Sequence, residues 1–252
     1  MLNPKKITDI VFIDIETTSQ YPSLDEAPEK YQELFKHKFT KEHDAVQASF
    51  ANSAAAIMVG PGEIWESVYN RYCPTSAEFG RIVCISCGII NAENKIKVRS
   101  FSDQNEKQLL LNFGEGMKEV LANPQRYSMC AHSGMDFDFP FITKRLIINH
   151  CTLPDYFNVY GKKPWDMSYL LDTKIMWKFN VYNGGMNVSL DLLCYTFGLP
   201  SSKFDMHGSM VKDVFWVDKD INRIVQYCEE DIIALARVYL AMNGVYAEVS
   251  AL

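Results

Sequence analysis

The sequence predicts an α/β protein in which a mixed β-sheet is flanked by helices. An apolar, β-branched run near the N-terminus lacks a helical period, two more strand-like runs follow residue 80, and helix and strand patterns then alternate toward the C-terminus. Hydrophobic residues make up 48% of the 252 residues, which is sufficient for a full core. We therefore expect one domain over residues 1–252, with a helical insertion at about 20–80.

Five strands account for the predicted sheet. They cover residues 7–15, 82–90, 95–99, about 127–131 and 169–175. The first two are mainly apolar and β-branched and lack a helical period, as is typical of buried strands. In the third, Ile96 and Val98 alternate with charged side chains, so one face is expected to be exposed.

Helices are predicted from apolar periodicity and from their end signals. They cover about 24–43 and 61–73 in the insertion, then about 104–122, a segment from near Pro140, Ser189 to Gly198, and about 220–242. Asp103 with Glu106 predicts a capping box, and Ser189 and Gly198 are typical start and stop residues. Residues 51–56, between the two insertion helices, are expected to be weakly structured.

Composition limits the functional classes. The net charge of −6 argues against a broad electrostatic grip on nucleic acid, although it leaves a local basic groove possible. Seven cysteines without a framework spacing indicate reduced thiols and a cytoplasmic protein. No stretch approaches the roughly 20 apolar residues that span a bilayer, so no membrane partner is expected.

Three acidic segments stand out. Asp14 and Glu16 end the first strand and share one of its faces, Asp138 precedes a helix, and Tyr227 and Asp231 share a face of the last helix. Each pattern alone also fits a structural role: a surface turn, a helix cap, or a tyrosine at the core rim beside a solvated Asp. If the four carboxylates meet, two charges about 4 Å apart repel by roughly 4 kcal/mol at an effective dielectric near 20. Such a cluster requires cations.

In this order, the segments resemble the DEDD superfamily of 3′–5′ exonucleases. Asp14-x-Glu16 matches the first motif, Phe137-Asp138 the second and Tyr227-x3-Asp231 the third. The tyrosine is typical of the DEDDy branch, which contains the proofreading exonuclease domains of family-B DNA polymerases. The resemblance covers about residues 7–242 and implies an RNase H-like fold with a mixed five-stranded sheet.

The resemblance also implies a site and a reaction. Two divalent cations, Mg²⁺ or Mn²⁺, would be held by Asp14, Glu16, Asp138 and Asp231. Asp14 would bridge both ions, and Glu16 and Asp231 would hold the one that activates water. Tyr227 would position that water. The substrate, the 3′ end of single-stranded DNA or RNA, would be contacted by Thr17, Thr18, His132, Ser133 and Phe137.

The chain departs from the family pattern at two positions, which leaves those substrate contacts open. Ser133 stands where the second motif often has Asn, and Ser19 stands where the first often has Gly. Lys162 and Lys163 lie among Tyr156, Phe157, Tyr160 and Trp165. This segment fits either a guide for a single strand or a solvated loop over core aromatics.

Two other functions compete with a general 3′–5′ exonuclease. One is a nuclease restricted to short oligonucleotides, and the other is a non-catalytic module that binds nucleic acid or protein. The intact carboxylate set argues against the second. No motif reports on the sugar 2′-OH, so the sequence does not distinguish DNA from RNA.

Overall fold

The structure contains the mixed β-sheet flanked by helices that the sequence analysis predicted. The computed structural model describes residues 6–51, 60–93, 95–179, 187–201, 206–245 and 250–251. Of the segment expected to be weakly structured, residues 52–56 lie outside these ranges. The strands are β1 (Ile10–Ser19), β2 (Gly80–Ile90), β3 (Lys95–Ser102), β4 (Ser128–Ala131), β5 (Leu170–Asp172) and β6 (Ser250–Ala251).

The strands are arranged in the order β5-β4-β1-β2-β3-β6. β2 runs antiparallel to both of its neighbours, while β4 and β5 run parallel to β1. The first five strands therefore form the mixed sheet of an RNase H-like fold, and this prediction is confirmed. β6 adds a two-residue edge strand beside β3, which the sequence patterns did not predict.

Helices cover both faces of the sheet. They are α1 (Glu29–Lys38), α2 (Thr40–Ala51), α3 (Pro61–Tyr72), α4 (Glu106–Gly116), α5 (Lys118–Leu121), α6 (Asp138–Ile148), α7 (Thr173–Lys178), α8 (Leu190–Phe197), α9 (Val211–Asp213) and α10 (Ile221–Met242). The start and stop predicted for α8 are confirmed: Ser189 Oγ accepts from the amide of Leu192, and Gly198 adopts a φ of 67°.

The central strand β1 is buried on both faces because its apolar residues serve two cores. Val11, Ile13 and Ile15 pack in the core formed with α4 and α6. Ile10 and Phe12 face α10, where the Phe12 ring meets Tyr239 edge-on at 5.6 Å. Helix α10 thus lies directly over the strand face that carries the even-numbered residues of β1.

Gly88 permits this close approach of α10. It pairs with Phe12 in the sheet, and a Cβ atom there would lie 2.5 Å from Cγ2 of Ile232. A side chain at this position would therefore push the helix away from β1 and β2.

Three local predictions are wrong in their boundaries or partners. Residues 7–9 form a 3₁₀ turn before β1. The helix expected over about 104–122 is divided at Met117 into α4 and α5. The fifth strand ends at Asp172, where α7 begins, and does not extend to residue 175.

The capping box predicted from Asp103 and Glu106 is also wrong. Asn105 caps α4, and its side chain accepts from the amides of Lys107 and Gln108. Glu106 is instead drawn into the protein by Arg145 of α6, a partner distant in the sequence. A long-range ion pair has here overridden a local motif.

The insertion between β1 and β2 forms a small core of its own. The helix expected over about 24–43 consists of two helices, α1 and α2, and α3 follows. Phe35, Val68 and Tyr69 are fully buried together. Two hydroxyls connect this core to the ends of the sheet strands: Tyr31 donates to the carbonyl of Phe79 (2.7 Å) and Tyr69 to that of Tyr21 (3.0 Å).

A buried ion pair joins α4 to α6. Arg145 is 1% exposed and donates to both carboxylate oxygens of Glu106. It also donates to the carbonyl of Ala77 at 2.9 Å, and Glu106 accepts from the amide of Ile82 at 2.7 Å. This network fixes α6 against the start of β2.

We expect Arg145→Met to lower the free energy of unfolding by about 3–5 kcal/mol, because it leaves the Glu106 carboxylate buried without its cation. Urea unfolding at neutral pH measures the effect. Arg126→Met is the matched control, since Arg126 is 62% exposed and its ion pairs with Asp9 and Glu119 are 3.7 and 3.5 Å long. Its cost should stay below about 1 kcal/mol, and equal costs for the two variants would refute the account.

Candidate active site

Asp14 and Glu16 lie on the face of β1 that α10 covers. Strand alternation places both on the side of Phe12, and their partners in β2 are Ser86 and Cys84. The thiol of Cys228, on α10, donates to Oδ2 of Asp14 at 3.4 Å. Ligand atoms of Asp14, Glu16 and Cys228 all lie within 4.8 Å of one another.

Asp138, at the start of α6, reaches the same part of β1. Residues Ile10 to Phe12 of β1 pair with β4, and the rest of β1 extends past the end of β4. There the amide of Ile15, between the two acidic residues, donates to the carboxylate of Asp138. Asp138 is 3% exposed and is the first helical residue of α6, which has no side-chain cap bond. The alternative that Asp138 is only a helix cap is therefore wrong.

Tyr227 and Asp231 complete the group from α10. Both are buried, and the hydroxyl of Tyr227 hydrogen-bonds to the carboxylate of Asp231. Burial raises the pKa of Tyr227 most, and the charges of Asp231, Glu16 and Asp14 raise it further. The hydroxyl thus stays protonated near neutral pH, which suits it to hold a water molecule and not to act as a base.

The four carboxylates act on one another electrostatically. Burial raises the pKa of Asp14 well above its usual range, and the charges of Asp231, Asp138 and Glu16 raise it further. Burial raises the pKa of Asp138 to about 7, with added repulsion from Asp172 and Asp231. The cluster therefore favours whatever supplies positive charge, either protons or a cation. Its carboxylate oxygens are the ligands that Mg²⁺ and Mn²⁺ prefer.

The threonines that follow Glu16 lie inside the sheet. The pairing of β1 with β2 shifts register between Glu16 and Thr17, so Thr17 pairs with Ile82. Thr17 is buried, and Thr18 is fully buried with no hydrogen-bond partner for its Oγ1 among the described residues. Since neither side chain is open to solvent, their expected contacts with substrate stay predictions.

Ser19, the second departure from the family pattern, closes the strand. Its hydroxyl donates to the carbonyl of Tyr21 at 2.7 Å, and its own carbonyl accepts from the indole of Trp216 at 3.1 Å. Trp216 lies in a π-helical turn, Val214–Asp218, that precedes α10. The serine therefore joins the end of β1 to both the insertion and the α10 side of the sheet.

The three remaining predicted substrate residues occupy different environments. Both ring nitrogens of His132 make internal hydrogen bonds of 2.9 Å, to Thr173 Oγ1 and the Val188 carbonyl. Ser133 adopts a left-handed backbone with a φ of 65°. Phe137 is half-buried, with its ring 5.3 Å from that of Phe141. Phe137 is thus the one of these three whose ring borders an open cleft.

The lysine-aromatic segment at 156–165 combines core and surface. Tyr156 and Phe157 are buried, whereas Tyr160 and Trp165 are exposed. The ammonium of Lys163 lies 5.2 Å from the centre of the Trp165 ring. The exposed pair leaves a role in guiding a strand open, and the buried pair belongs to the core.

Asp172 is a residue whose role the sequence analysis missed. Its buried carboxylate accepts from four amides: Ser133 (3.1 Å), Met135 (3.0 Å), Lys174 (2.9 Å) and Ile175 (3.3 Å). It caps α7 and holds the loop that leads to Asp138. An Asp between a strand and a helix was the available signal, but only the first helical amides could be inferred from it.

Cys228 is the second missed residue. The sequence places it on the buried stripe of the last helix, as an ordinary core thiol. In the fold it is fully buried and contacts both the carboxylate and the carbonyl of Asp14. No local pattern relates these residues, because they lie on elements from opposite ends of the chain.

The chain matches the model of a known protein family. A profile of the family described as "Predicted 3′-5′ exonuclease related to the exonuclease domain of PolB" matches residues 71–251, most of the chain. The matched part contains Asp138, Tyr227 and Asp231. The match begins after β1, so it does not include Asp14 and Glu16. The fold brings these two residues close to the matched ones.

Among solved structures, the chain is similar to the family B DNA polymerase from the hyperthermophilic archaeon Pyrobaculum calidifontis. The identity is 12%, the TM-score is 0.48, and the similarity covers 92% of this chain and 24% of the polymerase. The chain thus spans about a quarter of that polymerase's length. No curated protein matches the chain. None of the helices in the described ranges is both long and apolar enough to cross a membrane.

We expect Asp172→Ala to loosen the loop before Asp138, because four amides lose their acceptor. Each buried donor left unsatisfied costs about 1–3 kcal/mol. Hydrogen exchange should show faster exchange at the amides of Ser133 and Met135. Asp136→Ala is the control, since Asp136 is 68% exposed and pairs with Lys174. Unchanged protection of both amides in Asp172→Ala would contradict this role.

The raised carboxylate pKa values predict how stability depends on pH when metal is absent. The pKa of Asp138 is 3.8 in its ordinary state and about 7 in the fold. Between these values the folded protein binds more protons than the unfolded chain, so this group makes stability fall as pH rises. In EDTA, Asp138→Asn should therefore gain stability relative to wild type between about pH 5 and about pH 7.

Thermal unfolding over this pH range measures the difference between the two proteins. A constant difference would show that Asp138 does not titrate there. Added Mn²⁺ should restore the stability of wild type near neutral pH more than that of Asp138→Asn, because metal binding replaces the bound protons.

Proposed function

Because the chain belongs to the family of predicted 3′–5′ exonucleases related to the exonuclease domain of PolB, we propose that it is a metal-dependent 3′–5′ exonuclease. It removes nucleoside 5′-monophosphates from the 3′ end of single-stranded DNA or RNA. One observation carries the proposal: the charges of Glu16, Asp138 and Asp231 all act on Asp14, from three separate elements.

The residues fit a pair of divalent cations, Mg²⁺ or Mn²⁺. The four carboxylates would hold them, since burial and then the charges of Asp231, Asp138 and Glu16 raise the pKa of Asp14, and burial raises that of Asp138. When bound, such a pair stabilises the attacking and the leaving oxygens of an in-line displacement at phosphorus. Cys228 supports Asp14, because its thiol donates to Oδ2 and restricts rotation of the carboxylate.

Tyr227 orients the attacking water in this proposal. Its hydroxyl is protonated and is hydrogen-bonded to Asp231, so it offers a fixed polar group beside the carboxylates. Phe137 borders the cleft immediately before Asp138 and provides a face for the terminal base. The amides that Asp172 holds keep this loop in one conformation.

We expect wild type to shorten 5′-labelled DNA or RNA oligomers stepwise in Mg²⁺ or Mn²⁺. Asp14→Ala should lower the rate by more than about 100-fold, because even outer-shell partners of a metal site contribute 10–100-fold. The measurement is the product ladder over time on long and short oligomers. The matched control is Glu115→Gln, an exposed acidic residue of α4 that should retain activity.

The outcomes separate the competing functions. Ladders from short oligomers alone would favour the restricted nuclease. Equal cleavage by wild type and Asp14→Ala would indicate a contaminant or another site. Calorimetry with Mn²⁺ tests the binding module: heat in wild type that disappears in Asp14→Ala supports the metal site, and its absence in both, without cleavage, would leave the non-catalytic function.

A further inference from the structure

A cleft of about 330 Å³ lies between the insertion and the start of α6. We name it the insertion cleft. Its insertion side includes Lys38, Tyr72 and Glu78, and its α6 side includes Phe137, Pro140 and Lys144. The volume falls in the range of small-molecule sites, which begins at about 300 Å³.

We propose that the insertion cleft binds one nucleotide of the single-stranded substrate, with its base against Phe137 and Tyr72 and its phosphate at Lys38 and Lys144. This inference rests on the proposed exonuclease function and adds a substrate subsite that the insertion helps to build. The occupant is the terminal nucleotide or its neighbour, because Phe137 directly precedes Asp138.

The aromatic walls are held in place for stacking. The Tyr72 ring is stacked on Phe39, with centroids 5.5 Å apart and planes 23° apart. Phe137 is supported from within by Phe141. Tyr72 and Phe137 are each half-buried, so each keeps part of its ring surface for a ligand. Base stacking on such rings tolerates any sequence, as an exonuclease that removes every kind of nucleotide requires.

The charges of the cleft point to a phosphate. Lys38 and Lys144, from opposite walls, both donate to the carboxylate of Glu78, at 3.2 and 3.3 Å. The two ammonium groups thus lie on either side of one anion, the Glu78 carboxylate. Both lysines are about half exposed and can turn toward a phosphate without a change in the backbone. The other acidic residue of the cleft, Asp136, is paired with Lys174 at 3.1 Å.

Glu78 must weaken this binding while it remains charged. Partial burial alone would raise its pKa, but hydrogen bonds from Ser76, its own amide and Lys38 lower the pKa to about 2. The carboxylate is therefore an anion at neutral pH and competes with a phosphate for both lysines. Its removal should strengthen substrate binding, an effect opposite in sign to the removal of either lysine.

Part of the subsite lies outside the family match. The matched residues begin at 71, so Lys38 and the whole of α1 precede them, whereas Phe137 and Lys144 lie within. The α6 wall, Tyr72 and Glu78 thus lie inside the matched segment, and Lys38 lies before it.

The test compares Lys38→Ala, Lys144→Ala and Glu78→Gln with Lys118→Ala. Lys118 is 76% exposed on α5, pairs with Glu115 and does not line the cleft. Binding of a fluorescein-labelled oligo(dT) is followed by anisotropy in EDTA over a range of salt concentrations. KM and kcat are then measured in Mn²⁺. Circular dichroism verifies that each variant is folded.

We expect each cleft lysine variant to raise Kd and KM about three- to tenfold, with kcat within about twofold. The salt slope should fall by about 0.7 for each lysine removed. Glu78→Gln should lower Kd. The proposal is overturned if the lysine variants behave like Lys118→Ala, or if Glu78→Gln binds no more tightly than wild type.

These outcomes are distinct from failure of the proposed function. If wild type produces the ladder and the cleft variants match the control, the insertion cleft is refuted and the exonuclease stands. If wild type neither binds nor shortens the oligomer, both proposals are wrong.

Discussion

Mutual repulsion among four clustered carboxylates is the interaction on which the arrangement of this molecule depends: Glu16, Asp138 and Asp231 are buried and Asp14 is half-buried. Asp14, Glu16, Asp138 and Asp231 come from a strand and two helices, and each raises the free energy of its neighbours when charged. A fold tolerates such a cluster only if the rest of the structure holds it together. Here the carboxylates are held together by a central strand that is buried on both faces and by the long helix α10, which packs across it.

The supporting contacts are few and specific. The Cys228 thiol holds Asp14, the Ile15 amide holds Asp138, and the Tyr227 hydroxyl holds Asp231. Each of these donors is neutral, so it fixes a carboxylate without supplying the positive charge that the cluster lacks. The protein therefore preorganises the oxygens, and in the proposed metal site a bound cation would supply the charge.

Sequence patterns predicted the elements that local periodicity determines. β1, α8 and α10 follow from apolar period and end signals, and the strand order agrees with the fold that the three motifs implied. The patterns failed where distant residues decide the outcome. Glu106 accepts from Arg145 and does not form the predicted capping box. Asp172 accepts from two amides of a loop that is far from it in the sequence. Such contacts exist only after the sheet has formed, so no local window contains them.

In the proposed exonuclease, the position of the insertion would connect the fold to the choice of substrate. β1 ends at Ser19 and β2 begins at Gly80, and these two residues are paired in the sheet. The residues between Ser19 and Gly80 must therefore leave the sheet and return to it at the same end of β1, the end nearer to Glu16. The Tyr31 and Tyr69 hydroxyls fix both ends of this segment, because they donate to the carbonyls of Phe79 and Tyr21. An insertion anchored there begins directly after the strand that carries Asp14 and Glu16, and surface connections of this kind tolerate changes in length. In the proposed exonuclease, a change in the insertion would thus alter what reaches the site and leave the carboxylates unchanged.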